Sequence, residues 1–596
     1  MLILENGLYF DGRGSAPVVR NVLVEDGAVA QVSAEPIERA GARRIDASGK
    51  WVLPGFLDTH THYDAELLAA PGLEESVRHG VTSVLVGSCS LSTVFSSPED
   101  CADIFSRVEA LPREQVLRVL ERDKDWTNAA DYIRAVERRA LGPNLMAFAG
   151  HSDMRVQVMG LGRSVDPSVR PTLEEQAQME QLLEDSLDAG FLGMSSMTNP
   201  WDKVGGERFR SARLPSTYAT WREYRRLHEI LRRRGRVLQS APNITTKLNV
   251  LLFMAESAGF FFRKTLKTTL ITAADAKSTP ALIRPLLAGT ALLNRRLGGD
   301  LRWQSVPMPF EVYADGIDLV VFEEFGAGEA ALHLADEVAR NELMNDEAYR
   351  RRFRRDYEKK WSPRVWQRDF HDAEIVAAPD EALVGKTFGD VADERACHPV
   401  DAFLDLVVEH GKRLRWRTTI ANHRPEVLEM LLRNRGVHIS FADSGAHVRN
   451  MAFYNFPLHF LRMVKRSIER GAPMMSLEAA VAKLTGDLGR WYDVDAGGLS
   501  VGDRADIAVI DPDGLDDSLD AYHEAPMPYF GGLHRMVRRN EAAVAATIIG
   551  GRVAYEAGRF TEGYGVSERY GSFLRAGEKV RAPAQRDVQP SMQEVA

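Results

Sequence analysis

The sequence predicts an α/β protein: a TIM-type (β/α)8 barrel, a small β-sandwich domain built from both termini, and a subdomain inserted into the barrel. Both ends of the chain alternate short apolar runs with Asn-Gly, Asp-Gly and Ser-Gly turns, which is hairpin chemistry. The long middle instead alternates strand-length apolar runs with stretches of helical periodicity. One gap in that alternation is far too long for a loop.

Taken in order, residues 1–54 hold "LILENGLYFDGRG", "VVRNVLVEDGAVAQVSA" and "RRIDASGKWVLPGF", read as the first part of the sandwich. Residues 55–485 are expected to form the barrel. Its eight strands are read in "WVLPGFLD", "SVLVGSC", "NLMAFAGH", "FLGMSS", "RVLQSAP", "LKTTLITAAD", "RWRTTIANH" (415–423) and "VHISFADSG" (437–445). Helical stretches such as "TLEEQAQMEQLLEDSLDAG" separate them and stop at glycine. The gap at about 276–414, with the charge-rich "NDEAYRRRFRRDYEKKW", is read as an insertion able to cover the barrel mouth. Residues 486–570 return to the hairpin texture in "GGLSVGDRADIAVIDPDG" and "AATIIGGRVAYEAGRF", and 571–596 read as a polar, extended tail.

Composition narrows the function. An apolar fraction of 44% in 596 residues supports a large core, and a formal charge of −9 without a basic stripe argues against nucleic acid as a partner. The start, "MLILENG", lacks the basic flank of a signal peptide, and the longest apolar stretch, "VLLFMAESAGFFF", is broken by Glu256 and too short to cross a bilayer. A cytoplasmic protein is expected. The three cysteines, Cys89, Cys101 and Cys397, are too few and scattered for a disulfide framework.

Barrel enzymes place their chemistry at the carboxyl ends of strands. There this sequence offers His60 and His62 after the first run, Cys89 after the second, His151 after the third and Asp443 after the eighth. Chance supplies about 0.4 His-x-His pairs in a chain with 15 histidines, so the pair alone says little. A strand's period of two nevertheless sets both imidazoles side by side. Imidazole, thiolate and carboxylate together suit Zn²⁺, with Asp443 placed to ligate or to take a proton from water.

The segments "VLPGFLDTHTHYDAE", "VRHGVTSVLVGSCSLS", "FAGHSDMRVQVMG", "ERACHPVDAFLDLVVE" and "ISFADSGAH", with "GGLSVGDRADIAVID" near the end, resemble the amidohydrolase superfamily and within it the N-acyl-D-amino-acid deacylase (D-aminoacylase) family. The resemblance covers about 1–565. It implies that His60, His62, Cys89 and Asp443 are metal ligands, that Cys89 bridges the metal positions, and that Asp443 is the general base. His151 and Arg155 match the third-strand motif, with a role behind the ligands or on the substrate side.

The chain also departs from that family, which places a histidine at the end of strand five and another at the end of strand six. Here no histidine lies between His228 and His333. Gln239 or Asn243 offers a weak neutral oxygen, and Asp275 or Lys277 a partial substitute. One well-formed zinc position is therefore expected, with a second weak or absent. His447 is read as supporting the site or lying on the loop surface, Arg449 as a candidate for a substrate carboxylate, and His228 and His371 as surface residues. The expected activity is hydrolysis of a linear amide, an N-acyl (D-)amino acid before others. A cyclic amide and a non-catalytic scaffold are the alternatives, and homo-oligomerisation stays open.

Overall fold

The computed structural model describes residues 1–243, 246–259, 264–359 and 364–578. The remainder of the expected tail, and part of the apolar "FMAESAGFFF" stretch, lie outside the described residues.

At the centre is an eight-stranded parallel sheet. Its strands are β1 (Phe56–Asp58), β2 (Val81–Val86), β3 (Asn144–Gly150), β4 (Gly193–Met197), β5 (Val237–Ala241), β6 (Lys267–Leu270), β7 (Asp300–Gln304) and β8 (Val437–His438). They neighbour one another in sequence order. The sheet curls until its outer strands meet: Thr59 N–H donates to the Ser440 carbonyl at 2.9 Å, and His62 N–H to that of Ser444 at 2.7 Å.

Helices between strands follow from local sequence. Leu173–Ala189 opens on a capping box of Thr172 and Glu175 and closes on Gly190 in the left-handed region. Trp221–Arg234 is capped by Thr220 and ends at Gly235.

Seven of the eight expected barrel strands stand where the sequence put them; the seventh does not. The run at 415–423 forms a strand, Arg415–Ala421, but it pairs antiparallel with Phe310–Asp315 and Ala373–Ala377 in a separate three-stranded sheet. The seventh barrel position belongs to β7, inside the stretch read as insertion. The insertion accordingly follows β7, and the chain returns to the barrel only at β8. It has its own apolar core, with Phe322, Phe353, Phe370, Phe388, Phe403 and Trp416. That explains how a segment of this length stays ordered between two adjacent strands.

Both chain ends share one nine-stranded sheet. Trp51–Pro54 is its joint, parallel to Leu2–Tyr9 and antiparallel to Ile507–Ile510. Part of the expected C-terminal β region does something else: Tyr522–Met527 and Leu533–Arg538 form a hairpin of their own. Tyr522 of that hairpin stacks on Tyr313 of the insertion, with ring centroids 5.5 Å apart. The expected tail also begins as bound chain, since Leu574 N–H donates to the Leu145 carbonyl of β3 at 2.8 Å and Leu145 N–H to that of Ser572 at 2.9 Å.

The passage from the nine-stranded sheet into β1 runs through Gly55. A Cβ there would stand 2.1 Å from Thr82 Oγ1 and 2.2 Å from its Cγ2. Gly55→Ala is therefore expected to destabilise the fold by about 1–3 kcal/mol, as overpacking in a close-packed interior does. Chemical denaturation of the two proteins measures this directly.

Candidate metal centre

His60 and His62 leave β1 on extended backbone and are wholly buried. Cys89 follows β2 and Asp443 follows β8. His60 Nε2 lies 3.4 Å from Cys89 Sγ and 3.6 Å from Asp443 Oδ1, and His62 Nε2 lies 3.2 Å from the same Oδ1. One donor atom from each of His60, His62 and Cys89 falls within 4.8 Å of the others. Thus three of the four expected ligands form one cluster, and Asp443 stands beside its two histidines.

The far side of each imidazole decides what the near side offers. His60 Nδ1 sits 2.8 Å from Gln304 Oε1, and His62 Nδ1 sits 2.8 Å from Glu109 Oε1. Gln304 accepts from His60 Nδ1, which leaves the His60 Nε2 lone pair turned to the centre, while Glu109 stands as the carboxylate ion-pair partner of His62. For His60 this is the orientation a metal-ligating histidine needs. Neither Gln304 nor Glu109 was singled out from the sequence: Gln304 ends the misplaced seventh strand, and Glu109 lies in a loop beyond the helix Pro98–Phe105.

Burial pushes the Cys89 thiol up to about 12, so a thiolate there needs a cation beside it. Burial also holds His60 down at about 3, which keeps its imidazole neutral. For Asp443, burial opposes ionisation, but the hydrogen bond and charge of His62 outweigh it and hold the carboxyl below the ordinary carboxylate range. For His62, burial opposes the charged form, yet Glu109 and then Asp443 and Cys89 raise its proton affinity well above the usual value. The cluster is built to surround positive charge, as a proton on His62 or as an ion between the four donors. Its imidazole, thiolate and carboxylate donors fit Zn²⁺.

Backbone strain accompanies the site. Cys89 and Asp443 both adopt the left-handed region, with φ of 54° and 55°. A non-glycine residue accepts that at a cost of about 1–2 kcal/mol, and ligand geometry is a usual reason. The glycine of "FADSGAH" has a different cause: a Cβ on Gly445 would stand 2.7 Å from the His62 carbonyl oxygen.

The remaining candidates divide. Gln239 is buried against the centre, where its Oε1 accepts from Cys89 N–H at 2.8 Å. Its oxygen is thus already engaged and is not an offered ligand. His447 stands at the edge, its Nε2 3.9 Å from Asp443 Oδ2 and its backbone N–H bonded to the Glu109 carbonyl at 3.0 Å.

His151 and Arg155 turn to Glu223 instead of the four ligands: His151 Nε2 is 2.9 Å from Glu223 Oε1, and Arg155 Nη1 is 2.5 Å from both carboxylate oxygens. Lys277 pairs with Asp372 of the insertion, and Asp275 is the bidentate partner of Arg424. Asn243 N–H is bonded to Thr198 Oγ1 and Asn249 Oδ1. Arg449 is taken by Asp315 at 2.9 Å and Glu524 at 3.0 Å, so it ties the insertion to the C-terminal hairpin. His228, expected at the surface, is wholly buried beside Trp221, Tyr224 and Phe253, because the charge-rich helix that carries it turns its apolar stripe inward. His371 is half exposed.

No family model matches the chain. It is 53% identical over 585 residues to an uncharacterized protein of Mycobacterium tuberculosis (strain ATCC 25618 / H37Rv), covering 97% of this chain and 96% of that one. An N-acyl-D-glutamate deacylase of Alcaligenes xylosoxydans xylosoxydans is 33% identical over 198 residues, 33% of this chain and 36% of that protein. Among solved structures, the N-acyl-D-glutamate deacylase from Bordetella bronchiseptica, complexed with zinc and a phosphonate mimic of the tetrahedral intermediate, superposes with a TM-score of 0.61 at 19% identity, over 96% of this chain and 99% of that one. The chain is thus similar to an N-acyl-D-amino-acid deacylase over a third of its length, and it shares the fold of solved deacylases over nearly all of it. A D-aminoacylase whose binuclear metal centre is described as showing one-metal activation and second-metal attenuation also superposes, with a TM-score of 0.60 at 19% identity over 96% and 99% of the two chains.

The triad of Glu223, His151 and Arg155 gives a test of how the site's third-strand wall is held. Burial opposes ionisation of Glu223, but the hydrogen bond and charge of His151, followed by Arg155, outweigh it and hold the carboxyl at about 2. Its contribution to stability is then complete above the ordinary carboxylate pKa, near 4.5, and is lost as pH falls towards 2. Glu223→Gln is expected to cost about 3–5 kcal/mol at neutral pH, because it leaves the buried Arg155 guanidinium without its counter-charge. The difference between variant and parent should shrink below pH 4, which urea denaturation at several pH values reads out.

Proposed function

We propose that the protein is a zinc-dependent amidase that removes the acyl group from an N-acyl amino acid, with the D configuration as the first expectation. The observation that carries this reading is the cluster of His60, His62 and Cys89, with Asp443 Oδ1 3.6 and 3.2 Å from the two imidazoles and Gln304 and Glu109 against their outer nitrogens. Similarity to N-acyl-D-glutamate and N-acyl-D-aspartate deacylases over a third of the chain supports the substrate class.

A bound zinc ion supplies a Lewis acid that polarises an amide carbonyl and acidifies water. The chain does the rest. Asp443, ionised and partly exposed beside the histidine pair, accepts the proton released by the attacking water and returns it to the departing amine. His60 is held in register by its hydrogen bond to Gln304, and the Glu109 carboxylate lies against the outer nitrogen of His62. Deep burial of the two histidines keeps bulk water from their side of the site and strengthens their electrostatic contacts.

No histidine stands at the ends of β5 and β6, where "LQSA" and "KTTL" occur instead, and Gln239 Oε1 is committed to Cys89. This supports a single tightly held ion. Metal analysis of the purified protein should return one zinc per chain; two tightly held ions would contradict it. Asp443→Asn should retain most of the metal while lowering turnover at least a thousandfold against a panel of N-acyl-D- and N-acyl-L-amino acids, hydantoins and dihydropyrimidines. Wild-type rates in that variant would refute the role given to Asp443, and turnover confined to the cyclic amides would refute the substrate class.

A further inference from the structure

Gln239 carries an unanswered donor. Its side chain is wholly buried at the carboxyl half of β5, and its Oε1 accepts from the Cys89 N–H at 2.8 Å. That bond fixes which end of the carboxamide is oxygen, because a backbone N–H cannot donate to an NH2 group. The other end, Nε2, is therefore a pair of N–H donors, and it has no hydrogen-bond partner among the described residues. Leaving a buried donor unpaired is costly, so a group that persists in this state is expected to meet an acceptor when the site is occupied.

Its surroundings indicate what that acceptor is. Cys89, which the carboxamide grips through its backbone, is also the residue whose Sγ lies 3.4 Å from His60 Nε2. The donor thus sits on the side chain that holds the Cys89 backbone, whereas Asp443 supplies only acceptors. Amide hydrolysis needs such a donor, since negative charge grows on the carbonyl oxygen as water adds. The four ligands present lone pairs to the centre and cannot provide it.

We propose that the Gln239 carboxamide N–H is the hydrogen-bond donor for the oxygen of the substrate's scissile carbonyl, and for the oxyanion that oxygen becomes. The inference rests on the amidase reading above. It gives Gln239 two separable jobs: its oxygen holds the strained Cys89 backbone, and its nitrogen binds the substrate.

The two jobs predict different outcomes in Gln239→Met and Gln239→Ala, which remove both ends, and Gln239→Glu, which keeps an acceptor for Cys89 N–H and removes the donor. The probe is methylphosphonate, a small tetrahedral oxyanion, titrated calorimetrically into zinc-loaded protein, with zinc content measured in parallel. A crystal structure of the parental complex is expected to place a phosphonate oxygen within hydrogen-bond reach of Nε2. Affinity should fall at least tenfold in all three variants, while Gln239→Glu retains one zinc per chain. A phosphonate bound with no oxygen near Nε2, or bound equally well by Gln239→Met, overturns the proposal. Zinc retained by the parent with no phosphonate binding also overturns it and leaves the metal site standing. A parent that binds no zinc overturns the amidase reading itself.

Discussion

The interaction on which this structure depends is the seam between the first and last barrel strands. Three backbone hydrogen bonds make it: Thr59 to Ser440, His62 to Ser444, and Asp443 to His60. Without that seam the sheet would have two edges, and the histidine pair would sit on one while Asp443 sat on the other. Closing it brings a carboxylate from residue 443 to 3.2 Å from an imidazole at residue 62. Closure satisfies the edge strands and assembles the site in one step.

Around the seam, the expected ligands are positioned by groups outside the donor set. Gln304 comes from β7 and Glu109 from a loop after β2, and each holds the outer nitrogen of one histidine. Gln239 comes from β5 and holds the backbone of Cys89. Every ligand that leaves β1 or β2 thus has a partner from a different strand or loop, so the geometry at the centre averages over much of the barrel. Such division of labour suits a site that must hold two residues, Cys89 and Asp443, in left-handed backbone.

The ligands were legible in the sequence because strand periodicity and strand ends are local properties. His60 and His62 declare themselves by a spacing of two after an apolar run, and Cys89 and Asp443 by ending runs of the same kind. Glu109 and Gln304 were illegible because their function is to touch a histidine far away in sequence, and nothing in "SRVEALP" or "DLRWQS" encodes that meeting. The seventh strand failed for a related reason. "RWRTTIA" is richer in β-branched residues than "DLRWQ" and reads as the better strand, and it is a strand; which sheet it joins is settled by its contacts with Phe310–Asp315 and Ala373–Ala377. The buried His228 shows the same limit, since the arginines flanking it mask a helix whose other face is apolar.

The strand Trp51–Pro54 gives the molecule a schedule. It feeds directly into β1, yet one of its two neighbours in the nine-stranded sheet, Ile507–Ile510, is made more than 450 residues later. While the chain is being synthesised, the ribosome has delivered all four metal-binding side chains well before the segment that anchors the first two of them. A growing chain therefore holds its histidines beyond a strand with one flank open, and a β segment that emerges late is the clasp that fastens it.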